Sequence, residues 1–231
     1  MKSSPLYLLL HGGQHGGWCW DAVRSALGER GCASVAPTLP MADASIGAWS
    51  WAQAAADCVH TADVIAVAHS LGGMALPLLP QLLPLRRLVL VAATVPQPGL
   101  SYADYLQTDE GRDAVLMPIT VAQPGEDVRG ECTWPVARQY FYSDCDERVA
   151  RATWERLTPR ATTVFTEPPT IDAWPDVPTT FVVPCEDRCV NPDWSRRVAA
   201  RLGAGVIEID GGHSPFLSRP IELADLLAGL A

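Results

Sequence analysis

The chain has 231 residues, 48% of them hydrophobic, with a formal net charge of −9. That length suits one compact domain with room for an insertion, and the apolar fraction is enough for a sizeable core. The acidic balance argues against nucleic acid, whose phosphates need a Lys/Arg-rich face, and against an anionic membrane surface.

Other side-chain counts narrow the chemistry further. Lys2 is the only lysine, so no interior amine is left for a Schiff base or a pyridoxal anchor. The seven cysteines (19, 32, 58, 132, 145, 185 and 189) include no Cys-x-x-Cys pair. They read as reduced thiols of a cytoplasmic protein, with no metal site.

Taken in order, short apolar runs alternate with amphipathic stretches, the α/β pattern. Leu6–Leu10 is expected as a buried first strand, not as the core of a secretory signal. Cys19–Arg30 reads as a helix ended at Gly31, Cys32–Ala36 as a second strand stopped by Pro37, and Trp49–His60 as a helix. Val64–Ala68 is the third strand. A helix is expected from Leu71, kinked or shortened by Pro77 and Pro80. Prolines, glycines and arginines break up 64–93, so it is not a membrane span. Arg87–Ala92, Thr180–Val183 and Val206–Ile209 are the fourth, fifth and sixth strands, and Ile221–Leu230 is the last helix. Continuous apolar runs of this kind fit parallel strands buried on both faces. Between the fourth and fifth strands, about Thr94 to Pro178, lies a proline-rich segment that includes Pro124. It shows one clear helix, about Asp146–Leu157, and is too long for a loop. Its aromatics are Trp134, Tyr140, Phe141, Tyr142, Trp154 and Trp174, and one or two are expected to line an apolar site.

Three segments carry the chemistry. Ala68-His69-Ser70-Leu71-Gly72-Gly73 follows the third strand and opens the next turn. A serine on a sharp strand-to-helix turn has its hydroxyl pushed above the sheet, and small neighbours let the backbone pack there. Ala68 stands where the usual Gly-x-Ser-x-Gly pattern has its first glycine. The bland alternative is a serine capping a helix. His11-Gly12-Gly13-Gln14-His15-Gly16-Gly17 follows the first strand. It matches neither the dinucleotide fingerprint nor a P-loop. An oxyanion hole fits better, with one N–H from Gly13 and one from Leu71, and with Gly12 and His69 against the substrate. Asp210-Gly211-Gly212-His213-Ser214-Pro215 follows the last strand, where His213 can reach Ser70.

This order of segments resembles the α/β-hydrolase superfamily from about Leu6 onward. The chain is most similar to the compact branch of methylesterases and hydroxynitrile lyases. The shared features are the His11–Gly13 loop running on to Trp18-Cys19-Trp20, the Ala68–Gly73 elbow, and Gly212-His213 followed by Leu217-Ser218-Arg219-Pro220. The resemblance implies an α/β-hydrolase fold, mostly parallel, with about six strands and helices on both faces. Residues 1–93 and 179–231 would form the core, and 94–178 a cap. It places the acid after the fifth strand, at Asp187, with Glu186 as the fallback; Asp210 reads as the end of a strand. The implied activity is hydrolysis of a small or apolar carboxylic ester or thioester by Ser70, His213 and Asp187. No cofactor and no metal are needed, and the partner is a small ester-like molecule. A homodimer is left open. Competing readings are a cyclase or thioesterase acting on a polyketide-like substrate, a hydroxynitrile lyase and a non-catalytic receptor. The resemblance associates lyases with a lysine after the histidine and a threonine in the oxyanion loop, where this chain has Ser214 and Gly12.

Overall fold

A computed structural model describes residues 4–118, 132–161 and 163–231. Lys2 and Pro124 lie outside the described residues. In chain order the elements are β1 (Leu6–Leu10), a 3-10 turn (Gly17–Trp20), α1 (Asp21–Glu29), β2 (Ser34–Val35), α2 (Ala48–Ala56) and β3 (Val64–His69). Two 3-10 turns (Ser70–Met74 and Leu76–Gln81) lead to β4 (Arg87–Val91). Then come α3 (Tyr102–Tyr105), α4 (Trp134–Val136), a π turn (Ala137–Phe141), α5 (Glu147–Trp154) and α6 (Thr163–Thr166). The chain closes with β5 (Thr179–Pro184), α7 (Pro192–Arg201), β6 (Gly205–Ile209), α8 (Pro215–Ser218) and α9 (Pro220–Ala228).

The six strands form one sheet in the order β2-β1-β3-β4-β5-β6, and every pairing is parallel. Strand alternation divides the core in two. Leu8, Leu10, Ala66, Ala68, Leu88, Leu90, Phe181 and Val183 face one side, against Trp51 of α2 and Trp194 and Val198 of α7. Tyr7, Leu9, Ile65, Val67, Val89, Val91 and Val182 face the other, against Val23 and Leu27 of α1 and Leu223 and Leu227 of α9. Both faces are therefore covered by helices, which is why the central strands read as unbroken apolar runs. The chain leaves β1 toward β2 on one side and returns to β3 on the other. The crevice between the carboxyl ends of β1 and β3 is thus a topological switch point, where open parallel sheets bind ligands.

Two elements differ from the sequence expectation. No α-helix follows Ser70; the stretch to Gln81 is 3-10 turns, because Pro77 and Pro80 each remove an amide donor. And α7 is a helix absent from that expectation. Pro192 sits at its first helical position, where the missing N–H costs nothing, behind an Asn191 side chain that accepts from the Asp193 N–H at 3.0 Å.

Between β4 and β5, α3 and α6 pack into the main core through Tyr102, Tyr105, Val164 and Phe165. The π turn and α5 form a satellite cluster of Ala137, Phe141, Tyr142, Cys145 and Ala150, with Cys189 from the loop after β5. Asp146 caps α5, accepting from the Val149 N–H at 3.1 Å.

Glycine substitutions test this packing. A Cβ on Gly73 would sit 2.0 Å from the Thr94 carbonyl oxygen, whereas one on Gly28, exposed on α1, meets nothing within 4 Å. Gly73→Ala is expected to cost about 1–3 kcal/mol by overpacking. Gly28→Ala should gain about 0.5–1 kcal/mol from helix propensity. At roughly 2–4 °C per kcal/mol for a chain of this size, thermal melts should move in opposite directions.

Candidate active site

Ser70 follows the last residue of β3 with φ at 48°, in the left-handed region that a side chain rarely adopts. The turn is tied to the end of β4. The Ser70 carbonyl accepts from the Thr94 N–H at 3.0 Å and the Thr94 hydroxyl at 3.1 Å. Gly72 and Gly73 admit this closeness, since a Cβ on Gly72 would lie 2.6 Å from the His11 carbonyl oxygen. Gln14 after β1 and Ala92 after β4 also have positive φ, at 66° and 47°. The adjacent strands β3 and β4 each end in such a bend, and the loop after β1 contains one.

His213 meets Ser70 across 143 positions of sequence. The Ser70 hydroxyl lies 3.0 Å from His213 Nε2, and His213 Nδ1 lies 2.9 Å from Asp187 Oδ2 and 3.1 Å from Oδ1. Asp187 Oδ1 also accepts from the Cys189 and Val190 N–H groups at 2.7 and 3.0 Å, which fixes the carboxylate. Glu186 and Asp210, the other acids considered, are exposed, while Asp187 is buried. The two loops are joined where the Glu186 N–H donates to the Gly211 carbonyl at 2.9 Å. Burial alone would push the His213 pKa down. The Asp187 carboxylate against its Nδ1 overrides that and holds it well above the ordinary imidazole value.

Three further buried histidines surround the pair, and their partners set their tautomers. His11 Nε2 accepts from the Leu39 N–H at 2.8 Å, so Nδ1–H donates to the Gly12 carbonyl. His15 lies between the Gly13 carbonyl and the Tyr142 hydroxyl, at 3.0 and 2.9 Å. Burial pushes His11 down to about 4 and His15 to about 3. His69 Nε2–H donates to the His213 carbonyl at 2.8 Å, and burial holds His69 well below its usual value. All three are neutral at pH 7.

Gly13, His69, Ser70, Leu71 and His213 line one cavity enclosing about 580 Å³, part of it open to solvent. Among the described residues, no protein acceptor takes the Gly13 or Leu71 N–H. The cavity does not list toward polarity: Val115, Met117, Phe141, Phe165 and Val190 form much of its wall. Gly12, expected against substrate, is not part of that wall. Its lack of a side chain makes room for its neighbours, because a Cβ there would fall 2.7 Å from His69 Nδ1 and 2.9 Å from Ser70 Cβ. Of the six aromatics singled out in the proline-rich segment, Phe141 lines the cavity, with its ring 5.7 Å from that of His213. Trp134 and Trp154 pack on each other elsewhere, and Tyr142 serves His15. Sequence reasoning missed Thr94, Tyr102 and Arg160 on the wall. Thr94 carried a signal, since it stands at the end of a predicted strand; the other two lie in irregular sequence without a motif.

Comparison with known proteins identifies the family and the fold. The profile described as "Alpha/beta hydrolase family" matches residues 7–226. An alpha/beta hydrolase of Aspergillus novofumigatus is 31% identical over 86 residues, 36% of this chain and 34% of that one. Methylesterase 9 of Arabidopsis thaliana is 26% identical over 253 aligned positions, covering 97% of each chain. Among solved structures, polyneuridine aldehyde esterase in its H244A form superposes with a TM-score of 0.80 at 19% identity, over 99% of both chains, which speaks for the fold.

The His213–Asp187 contact is testable without a substrate. A folded-state pKa above the unfolded value of about 6.5 means that the contact stabilises fully below that value and that the stabilisation is lost as pH rises through the folded one. Imidazole NMR should therefore find His213 titrating above the ordinary range. In Asp187→Asn it should titrate lower, and the stability deficit of that variant should be larger at pH 5.5 than at pH 9. A native His213 titrating at or below the ordinary value would contradict the assignment.

Proposed function

The chain belongs to the alpha/beta hydrolase family, and from that premise we propose that it is a serine esterase acting on a small carboxylic ester or thioester. The observation that carries this reading is the unbroken hydrogen-bonded line Ser70–His213–Asp187 opening on a cavity with two unspent backbone donors. Residues 1–93 and 179–231 serve as the catalytic core and 94–178 as a cap over it.

In this reading Ser70 Oγ attacks the ester carbonyl carbon as His213 Nε2 takes its proton. Asp187 holds the imidazole tautomer and stabilises the imidazolium. The Gly13 and Leu71 N–H groups hold the oxyanion, each worth on the order of 3 kcal/mol. The carbonyl–alkoxy C–O bond then breaks, and the leaving alcohol takes the proton from His213. Water, deprotonated by the same histidine, attacks the acyl carbon and releases the acid and free Ser70. No organic cofactor or metal has a role in these steps. His69 acts as a positioning residue, since its N–H fixes the His213 carbonyl. The cytoplasm remains the proposed compartment, in keeping with seven unpaired cysteines; no described helix is long and apolar enough to cross a membrane. The lyase alternative loses ground at Gly12, where a threonine side chain would collide with His69 and Ser70.

A fluorophosphonate probe tests the activated serine. We expect one adduct, on Ser70, absent in Ser70→Ala and strongly slowed in His213→Ala. Hydrolysis of short-chain p-nitrophenyl esters should fall about 10³–10⁶-fold in these variants. Because His213 must be neutral to accept a proton, kcat/KM should fall as pH drops through its raised pKa. No adduct and no hydrolysis by folded protein would remove the esterase reading.

A further inference from the structure

Among the described residues, the cavity wall contains a cation without a counter-ion. Among its described residues, Arg160 is the only Asp, Glu, Lys or Arg. Its Nη1 is buried and has no hydrogen-bond partner. Among the described residues no carboxylate pairs with it, and its guanidinium lies over the face of Phe165, with Cζ 4.6 Å from the ring centroid. Its stem runs against the oxyanion loop, where a Cβ on Gly13 would lie 2.9 Å from Arg160 Cδ.

A buried charge without a partner is costly, and folded proteins normally pair it or do without it. Arg160 is not there by slack in the chain. The loop that carries it is pinned on both sides to the core: the Thr158 N–H donates to the Gln14 carbonyl and the Ala161 N–H to the Met41 carbonyl, both at 2.8 Å. Burial lowers the pKa of Arg160, but a guanidinium remains protonated in proteins. What results is a cation held on the wall of the same cavity as Ser70, with Nη1 buried and unpaired among the described residues.

We propose that Arg160 binds a carboxylate carried by the substrate, so that the preferred substrate is an ester with a second, ionised carboxyl group, such as the monoester of a dicarboxylic acid. This rests on the esterase reading and names its substrate class. A guanidinium fork matches a carboxylate with two parallel N–H···O bonds. A single fork in a largely apolar wall suits one negative charge. Tyr102 supports the same end of the site. Its hydroxyl is buried without a partner, it lines the cavity, and its ring lies 5.9 Å from the Phe165 ring that Arg160 covers. It is free to donate to the same ligand.

The test compares monomethyl esters of linear dicarboxylic acids, from malonate to suberate, with the corresponding methyl ester amides, which keep the shape and lose the charge. For the best chain length we expect kcat/KM to favour the carboxylate by about 10–100-fold, the range of a charge-assisted pair. That ratio should collapse to about one in Arg160→Gln and persist in part in Arg160→Lys. Arg160→Gln should melt at or above the wild type, because it removes an uncompensated charge. A ratio near one in the wild type at every length, or a ratio that survives Arg160→Gln, overturns the proposal. So does an equal loss on both ester series in Arg160→Gln, which would make the residue a general stabiliser of the oxyanion. Calorimetric binding of the same compounds to Ser70→Ala separates the two readings. Arg160-dependent preference for the carboxylate without hydrolysis by the wild type would sink the esterase and keep the site. Hydrolysis with no preference would sink the site and keep the esterase.

Discussion

The left-handed bend at Ser70 is the constraint on which the site depends. A non-glycine residue at φ 48° costs on the order of 1–3 kcal/mol and persists only when its surroundings over-determine it. Here they do. The buried strand β3 delivers the chain, Gly72 and Gly73 let the following turn press against the His11 and Thr94 carbonyls, and Thr94 holds the Ser70 carbonyl with two donors. The bend lifts the hydroxyl off the sheet toward His213 and leaves the Leu71 N–H without an acceptor. Fold and site are thus linked by backbone packing more than by any single side-chain contact.

Electrostatics divides the buried histidines into two kinds. His11, His15 and His69 are desolvated with no carboxylate beside them, and their proton sites are fixed by neutral partners. They behave as rigid polar spacers. His213 has the same burial but faces Asp187, itself held by the Cys189 and Val190 amides. One carboxylate therefore decides which of four neighbouring imidazoles can take up a proton near neutral pH. Arg160 extends the same logic to the cavity wall: with His213 neutral, it is the one charged side chain lining the cavity among the described residues.

Much of this was legible in the sequence, for physical reasons. Strands such as β3, apolar from Val64 to Ala68, read as unbroken runs because both faces of a parallel sheet are covered, and the Gly-rich runs around His11, Ser70 and His213 mark strand ends where backbone must approach backbone. What stayed hidden depends on long-range contacts or on context-dependent residues. Pro192 breaks a helix or starts one according to its neighbours, and Asn191 made it a start. Pro77 and Pro80 suggested a kinked or shortened helix, and the chain instead forms 3-10 turns there. Gly12 reads as a substrate contact; it is not part of the cavity wall, and its missing side chain leaves room for His69 and Ser70. Arg160 carried no motif, because its meaning comes from a buried Nη1 unpaired among the described residues, which only three-dimensional placement reveals.

The central claim is that Ser70 carries the acyl group through the reaction. Rapid-quench kinetics with a p-nitrophenyl ester, coupled to intact-protein and peptide mass spectrometry, tests it directly. The account predicts a pre-steady-state burst of p-nitrophenolate approaching one equivalent per chain, with the acyl mass located on the peptide that contains Ser70. Steady turnover with no burst and with the peptide unmodified at every quench time would contradict it, and would point to direct attack by water in place of covalent catalysis.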